Sequence, residues 1–186
     1  MIKNFIIIFI SLIFSNSVVA EKINVFDFTE DEFKTLKVKK VKGEIKWTLG
    51  TNEKGNFIKA EAESKGSGLG KEVKIDLLKT PFINITWKVE KDLAGIVENS
   101  KKGHDYAARV FVIKKTGSTP LSNRAINYVF SSNNDVGQNW PSPYTKKSID
   151  YVLSSTKENL NTWVTVKANV KEDFLRLLNL ELEDIS

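Results

Sequence analysis

Two stretches carry the densest apolar patterning. Residues 105–113 (Asp-Tyr-Ala-Ala-Arg-Val-Phe-Val-Ile) and residues 124–130 (Arg-Ala-Ile-Asn-Tyr-Val-Phe) are apolar on both faces, the pattern of strands in the middle of a sheet. Residues 57–63 instead alternate: Ile58, Ala60 and Ala62 point inward and Lys59, Glu61 and Glu63 outward. That period of two predicts a strand with one wet face. Val73, Ile75 and Leu77 repeat it, and Pro81 opens a strand in which Ile83, Ile85, Trp87 and Val89 share a face. Residues 23–28, 36–42, 44–49 and 149–153 read as further strands, as do residues 163–170, with Val164, Val166, Ala168 and Val170 on one side.

The breaks are equally legible. Residues 50–55 read as a turn, residues 93–103 as a loop punctuated by Gly95 and Gly103, and residues 131–147 as a long loop rich in Asn, Ser, Gly and Pro. Thr29 caps one helical turn. A longer helix is predicted over residues 171–178, where Phe174, Leu177 and Leu178 form an apolar stripe. Eight or more short strands with frequent turns and little helix predict an all-β fold, an antiparallel jelly-roll β-sandwich with one short C-terminal helix.

The N-terminus stands apart from this pattern. Lys3 precedes an apolar run over residues 5–14, followed by a small, polar segment ending in Val18-Val19-Ala20. This predicts a signal peptide over residues 1–20, cleaved after Ala20, and a periplasmic or secreted domain over residues 21–186. The apolar run of roughly ten residues is too short to span a bilayer, which takes about 20, so no membrane span is expected after cleavage. With no cysteine, disulfides, thiolate metal sites and lipid attachment at cysteine are excluded, and one histidine argues against zinc. No cofactor is expected.

The formal charge of +5 is spread over lysine pairs at 39–40, 101–102, 114–115 and 146–147, among interspersed acids. That distribution fits a solvated surface tolerant of anionic polymers and argues against nucleic acid. The Gly66-Ser67-Gly68-Leu69-Gly70-Lys71 segment fails as a phosphate loop. Lys65 stands where its first glycine belongs, Glu72 where Ser or Thr would hold magnesium, and no helix pattern follows. A bulged, glycine-softened strand accounts for it.

Arg109 is the informative charge. An unpaired guanidinium inside an apolar layer costs several kcal/mol, so it needs a partner or an opening. Asp105, on the same side of an extended strand, would lie roughly 13 Å away; the partner is a structural acid from a neighbouring segment, or a ligand. His104 beside Asp105 reads as an exposed loop histidine, and Glu61 and Glu63 as alternating surface charge. Trp140 and Tyr144, among Gln138 and Asn139, suit stacking on sugar faces while amides bond hydroxyls; the alternative is that the rings plug one end of the sandwich. Trp47, Trp87 and Trp163 fall in strand patterns and are expected in the core.

The series formed by residues 69–73, 83–89, 103–112 and 125–130, with Trp163 and residues 169–174 later, resembles the domain-of-unknown-function family numbered 3047 over most of residues 21–186. The resemblance implies a bacterial exported β-sandwich similar to carbohydrate-binding modules, and no established activity. His104 stands where that family tends to have an acid, which weakens any paired-acid or metal reading. The family pattern also continues into a further strand beyond residues 180–186, which implies a shortened chain lacking its last strand.

These readings converge on a non-catalytic binding module for a saccharide or envelope polymer. Its groove would be floored by Arg109, Asn127 and Tyr128, with Asp105 beside them, and rimmed by Trp140 and Tyr144. The alternatives are a periplasmic polysaccharide-acting enzyme using Asp105 as acid or base, and a structural envelope protein that takes a partner's strand at its sheet edge.

Overall fold

The computed structural model describes residues 21–186; the expected signal peptide lies outside the described residues. The first helix, α1 (Glu30–Thr35), starts where Thr29 accepts a hydrogen bond from the Glu32 N–H. Six strands follow: β1 (Lys37–Lys42), β2 (Lys46–Asn52), β3 (Gly55–Glu61), β4 (Gly66–Gly70), β5 (Ile75–Asp76) and β6 (Phe82–Trp87). After a long loop come β7 (Ala108–Lys114), β8 (Arg124–Ser131), β9 (Asn139–Ser142) and β10 (Thr145–Ser155). The short α2 (Thr156–Asn159), β11 (Val164–Asn169), α3 (Val170–Leu178) and β12 (Asp184–Ile185) complete the described chain. The fold is all-β, and none of the described helices is long and apolar enough to cross a membrane.

The largest sheet has the order β7-β8-β10-β9. One face of it, carrying Val110 and Val112 of β7, Ile126, Tyr128 and Phe130 of β8, and Tyr151 and Leu153 of β10, packs on the inner face of the β6–β11 pair and on Phe174 of α3. Ile85 and Trp87 of β6 and Ala168 of β11 supply that second layer, as the alternation at residues 81–89 and 163–170 predicts. The polar groups that enter this core are bonded, because a buried donor or acceptor left alone costs more than its bond contributes. The Trp87 indole N–H donates to Ser154 Oγ at 2.9 Å. The Tyr128 hydroxyl donates to Asp173 Oδ2 at 2.9 Å and ties β8 to α3, while Arg176 donates to Asp173 Oδ1 at 2.8 Å. Burial first, and then Asp173, push the Tyr128 phenol well above its usual range.

Four expectations about the fold are corrected. Only β8 of the two doubly apolar stretches is central. β7 begins at Ala108 rather than Asp105 and is an edge strand, with Phe111 and Ile113 exposed. Pairing is not wholly antiparallel, since β8 and β10 run parallel. The predicted loop over residues 131–147 contains β9, which runs back along β10 and so returns the chain to the end where a parallel neighbour of β8 must start. In the β2–β3 hairpin Ile58 is half-buried, but Ala60 and Ala62 are exposed; the hairpin meets the rest of the fold through Phe57, edge-on to Trp163 at 5.3 Å, and through the Trp47 indole N–H, which donates to Ser67 Oγ of β4 at 3.1 Å. Of the expected core tryptophans, Trp87 is buried and Trp47 and Trp163 are half-buried. The glycine-rich segment is β4, paired with the bulged β1.

The loop before β7 folds tightly on itself. A Cβ on Gly103 would sit 2.5 Å from the Val97 carbonyl oxygen and 2.8 Å from the Val97 backbone N and C. Backbone cannot turn aside as a side chain can, so Gly103→Ala is expected to destabilise by about 2 kcal/mol, the range of overpacked sites. A urea midpoint equal to wild type would show that the loop is looser than this contact implies.

Candidate functional site

The second face of the four-stranded sheet carries the chemistry. Alternation sends Ile126, Tyr128 and Phe130 into the core and therefore turns Asn127 and Val129 to the other side. Register then aligns a row across all four strands: Phe111 of β7 opposite Asn127 of β8, Asn127 opposite Asp150 of β10, and Asp150 opposite Trp140 of β9. Arg109 lies one step along, opposite Val129. The loop over residues 98–107 folds across one end of this face, where Tyr106 packs on Val129, Val152 and Trp140.

Asp150 is the centre of the row and is fully buried. Its Oδ2 lies 2.7 Å from His104 Nε2, and its Oδ1 accepts from Asn127 Nδ2 at 2.7 Å. The same Nδ2 donates to Ser148 Oγ at 2.9 Å. Asn127 Oδ1 is buried with no hydrogen-bond partner among the described residues. Buried polar atoms are rarely left so. Among the described residues His104 Nδ1 makes no hydrogen bond, nor is it one of the enclosed unpartnered atoms.

Arg109 has no ion pair among the described residues. Its guanidinium lies 4.8 Å from the centre of the Tyr106 ring and 5.0 Å from that of Phe111, so two aromatic faces hold the cation in place. Burial lowers its pKa; the nearby charge of Asp150, the Tyr106 phenol and Asp105 oppose that shift. Burial and then Asp150 drive the Tyr106 hydroxyl far above its usual range; that oxygen accepts the Trp140 indole N–H at 3.2 Å.

Of the residues expected in the site, Asp105, Arg109, Asn127, Trp140 and Tyr144 are brought to this side. Tyr128 is not: it lies on the core face, bonded to Asp173, because it adjoins Asn127 in an extended strand. Asp105 is exposed and accepts the Tyr106 N–H at 2.9 Å. The chain bends at Ala107 between Asp105 and Arg109, and the Asp105 charge acts on the Arg109 guanidinium. Trp140 is half-buried and plugs the end of the sheet, whereas Tyr144 stands 66% exposed as an open ring, its hydroxyl donating to the Lys101 carbonyl at 3.0 Å.

His104 is corrected most. Its side chain is only 9% exposed, held by Asp150 and set edge-on against Tyr106 and Tyr144, each ring 5.4 Å away. Sequence reasoning missed Asp150 and Phe111 as well. Asp150 had a signal, a full charge inside the apolar run Ile149-Asp150-Tyr151-Val152, the same feature that singles out Arg109. Glu61, by contrast, is an exposed partner of Lys46 and Lys59. Among the described residues no group of three or more acids and histidines is placed to hold a metal ion.

No curated protein and no solved structure matches the chain. One family model does, over residues 31–186, and its span takes in both layers of the fold and every residue of the row. The chain belongs to the family described as Protein of unknown function (DUF3047).

Proposed function

We propose that the chain is an exported, non-catalytic binding module whose outer sheet face takes a saccharide or another envelope polymer. The observation that carries this reading is Arg109, a cation with no ion pair among the described residues, flanked by the exposed Phe111 ring. Tyr144 adds a second open ring, and the exposed Asp105 adds an acceptor near the guanidinium donors. Rings that stack on the apolar side of a sugar, with donors and acceptors for its hydroxyls, are what such a ligand requires.

Tyr144→Ala removes the open ring without emptying the core, so the urea midpoint should hold while affinity for a bound glycan falls about tenfold, near the worth of one aromatic contact. Glycan-array binding followed by calorimetry on the best glycan measures it. Undiminished binding by the variant would remove Tyr144 from the site, and a folded wild type that binds no glycan would end the saccharide reading.

The His104–Asp150 pair favours a second reading, an enzyme acting on the same polymer. With the Nε2 proton directed to Asp150, the Nδ1 lone pair is free to act as a base, a role the sequence offered to Asp105. Chain-length analysis of glycans incubated with wild type and His104→Gln separates the two readings. Shortening by wild type alone supports the enzyme.

A further inference from the structure

The binding face holds one cation that the described residues leave without an ion pair, and its placement points to a class of ligand. Arg109 sits opposite Val129, two residues along β8 from Asn127, so the two side chains are diagonal neighbours on one face. Such neighbours are roughly 7–8 Å apart at the backbone and within reach of long side chains. The guanidinium is already desolvated and fixed between the Tyr106 and Phe111 rings. Asp150, the acid at the centre of the row, has each carboxylate oxygen engaged, one by His104 and one by Asn127.

We infer that the ligand is an acidic saccharide: a paired-oxygen anion, the carboxylate of a uronic acid or the sulfate of a sulfated sugar, seats on Arg109. This rests on the saccharide reading and narrows it. Two features favour an anion over a neutral sugar. A planar guanidinium fork bonds two oxygens of one anion at once, which a hydroxyl cannot offer. Its pre-set orientation between two rings also lowers the ordering cost of that contact.

The test uses the purified chain with polygalacturonate, dextran sulfate and neutral dextran as probes, and three proteins: wild type, Arg109→Met and Lys39→Met. Lys39 lies on the exposed β1, so its replacement removes the same charge away from the sheet face. Wild type should bind one or both acidic polymers more tightly than dextran. Arg109→Met should weaken that binding about ten- to hundredfold, the worth of charge-assisted hydrogen bonds, while Lys39→Met stays near wild type. The polymer that loses affinity on Arg109→Met identifies the anion. Equal losses in both variants would mean diffuse attraction to a basic surface and overturn the inference. So would dextran bound as tightly as the acidic polymers, although saccharide binding itself would then stand. Binding of no polymer by folded wild type would instead remove the reading beneath it. If Arg109→Met fails to fold, Arg109→Lys, which keeps the charge but loses the fork, should still lose most of the acidic preference.

Discussion

Glu98→Ala is expected to lower the unfolding free energy by about 3–5 kcal/mol, as several donors lose their acceptor at once. Glu98 is 1% exposed in the loop before β7. One carboxylate oxygen accepts from the Ser132 N–H at 2.8 Å and from Asn133 Nδ2 at 3.4 Å; the other accepts from Asn134 Nδ2 at 2.6 Å and from the Ser131 hydroxyl. A single side chain thus replaces the ladder that residues 131–134 lose where β8 ends. Ser131 and Ser132 are buried, so their donors cannot turn to water, whereas half-buried Asn133 and Asn134 can in part. The same segment reaches back: Ser132 Oγ accepts the Leu93 N–H at 2.8 Å, and Asn133 Oδ1 the Gly95 N–H at 2.8 Å. Glu98→Gln should cost less than Glu98→Ala, since one acceptor remains while its amide nitrogen faces a donor. Urea unfolding at unchanged m-value measures both, and faster exchange of the Ser132 amide should accompany the loss. A midpoint shift worth less than about 1 kcal/mol, the scale of one ordinary hydrogen bond, would mean the two loops stand without this clamp.

That clamp also bears on what the sequence could reveal. β8 is legible because both its faces are covered, and covered faces must be apolar. β7 has the same composition but a different fate. Phe111 and Ile113 are apolar and exposed, so apolarity marked what a residue tolerates, and not whether anything covers it. The alternation of β6 and β11 is legible because each buries one face on the shared core. Phe57–Ala62 was read too deeply, because alternation sets which side a residue takes and says nothing of how far the hairpin stands from the core. β9 escaped notice because Pro141 and its polar neighbours mimic a loop, and without β9 the parallel course of β10 has no visible return path.

The site divides in the same manner. Arg109 stands out as a charge in an apolar run, and Asp150 carries the identical signature two strands over in the sheet. Their common face depends on register, which is set by pairing across the chain and not by local pattern. The His104–Asp150 contact joins residues 46 apart in sequence, and neither flank of His104 marks it as enclosed. Tyr128 was misassigned for a simpler reason. Adjacent residues of a strand point opposite ways, so Asn127 and Tyr128 cannot floor one groove.

Asp150 is where stability and chemistry can be separated by two substitutions. Asp150→Ala leaves the His104 Nε2–H without its acceptor in a buried place and strips Asn127 Nδ2 of one of its two bonds, a loss of about 3 kcal/mol on the scale of buried unsatisfied groups. Asp150→Asn keeps the shape and should cost about 1 kcal/mol, because its new amide can still satisfy both neighbours in one arrangement. The amide oxygen must accept from Asn127 Nδ2, which has no lone pair to offer in return. The new NH2 then faces His104 Nε2, which accepts only if the imidazole proton moves to Nδ1. Asp150→Asn should therefore switch the His104 tautomer, leaving the fold intact and consuming the lone pair that a base would use. The chain has a single histidine, so the ring nitrogen shifts in a 15N NMR spectrum report this change without ambiguity. Exchange of the two nitrogen signals, with a midpoint near wild type, is the expected result. An unchanged tautomer would show that something other than Asp150 sets the proton's position, and a collapse as large as that of Asp150→Ala would show that the carboxylate charge itself, rather than the pattern of bonds, holds this face together.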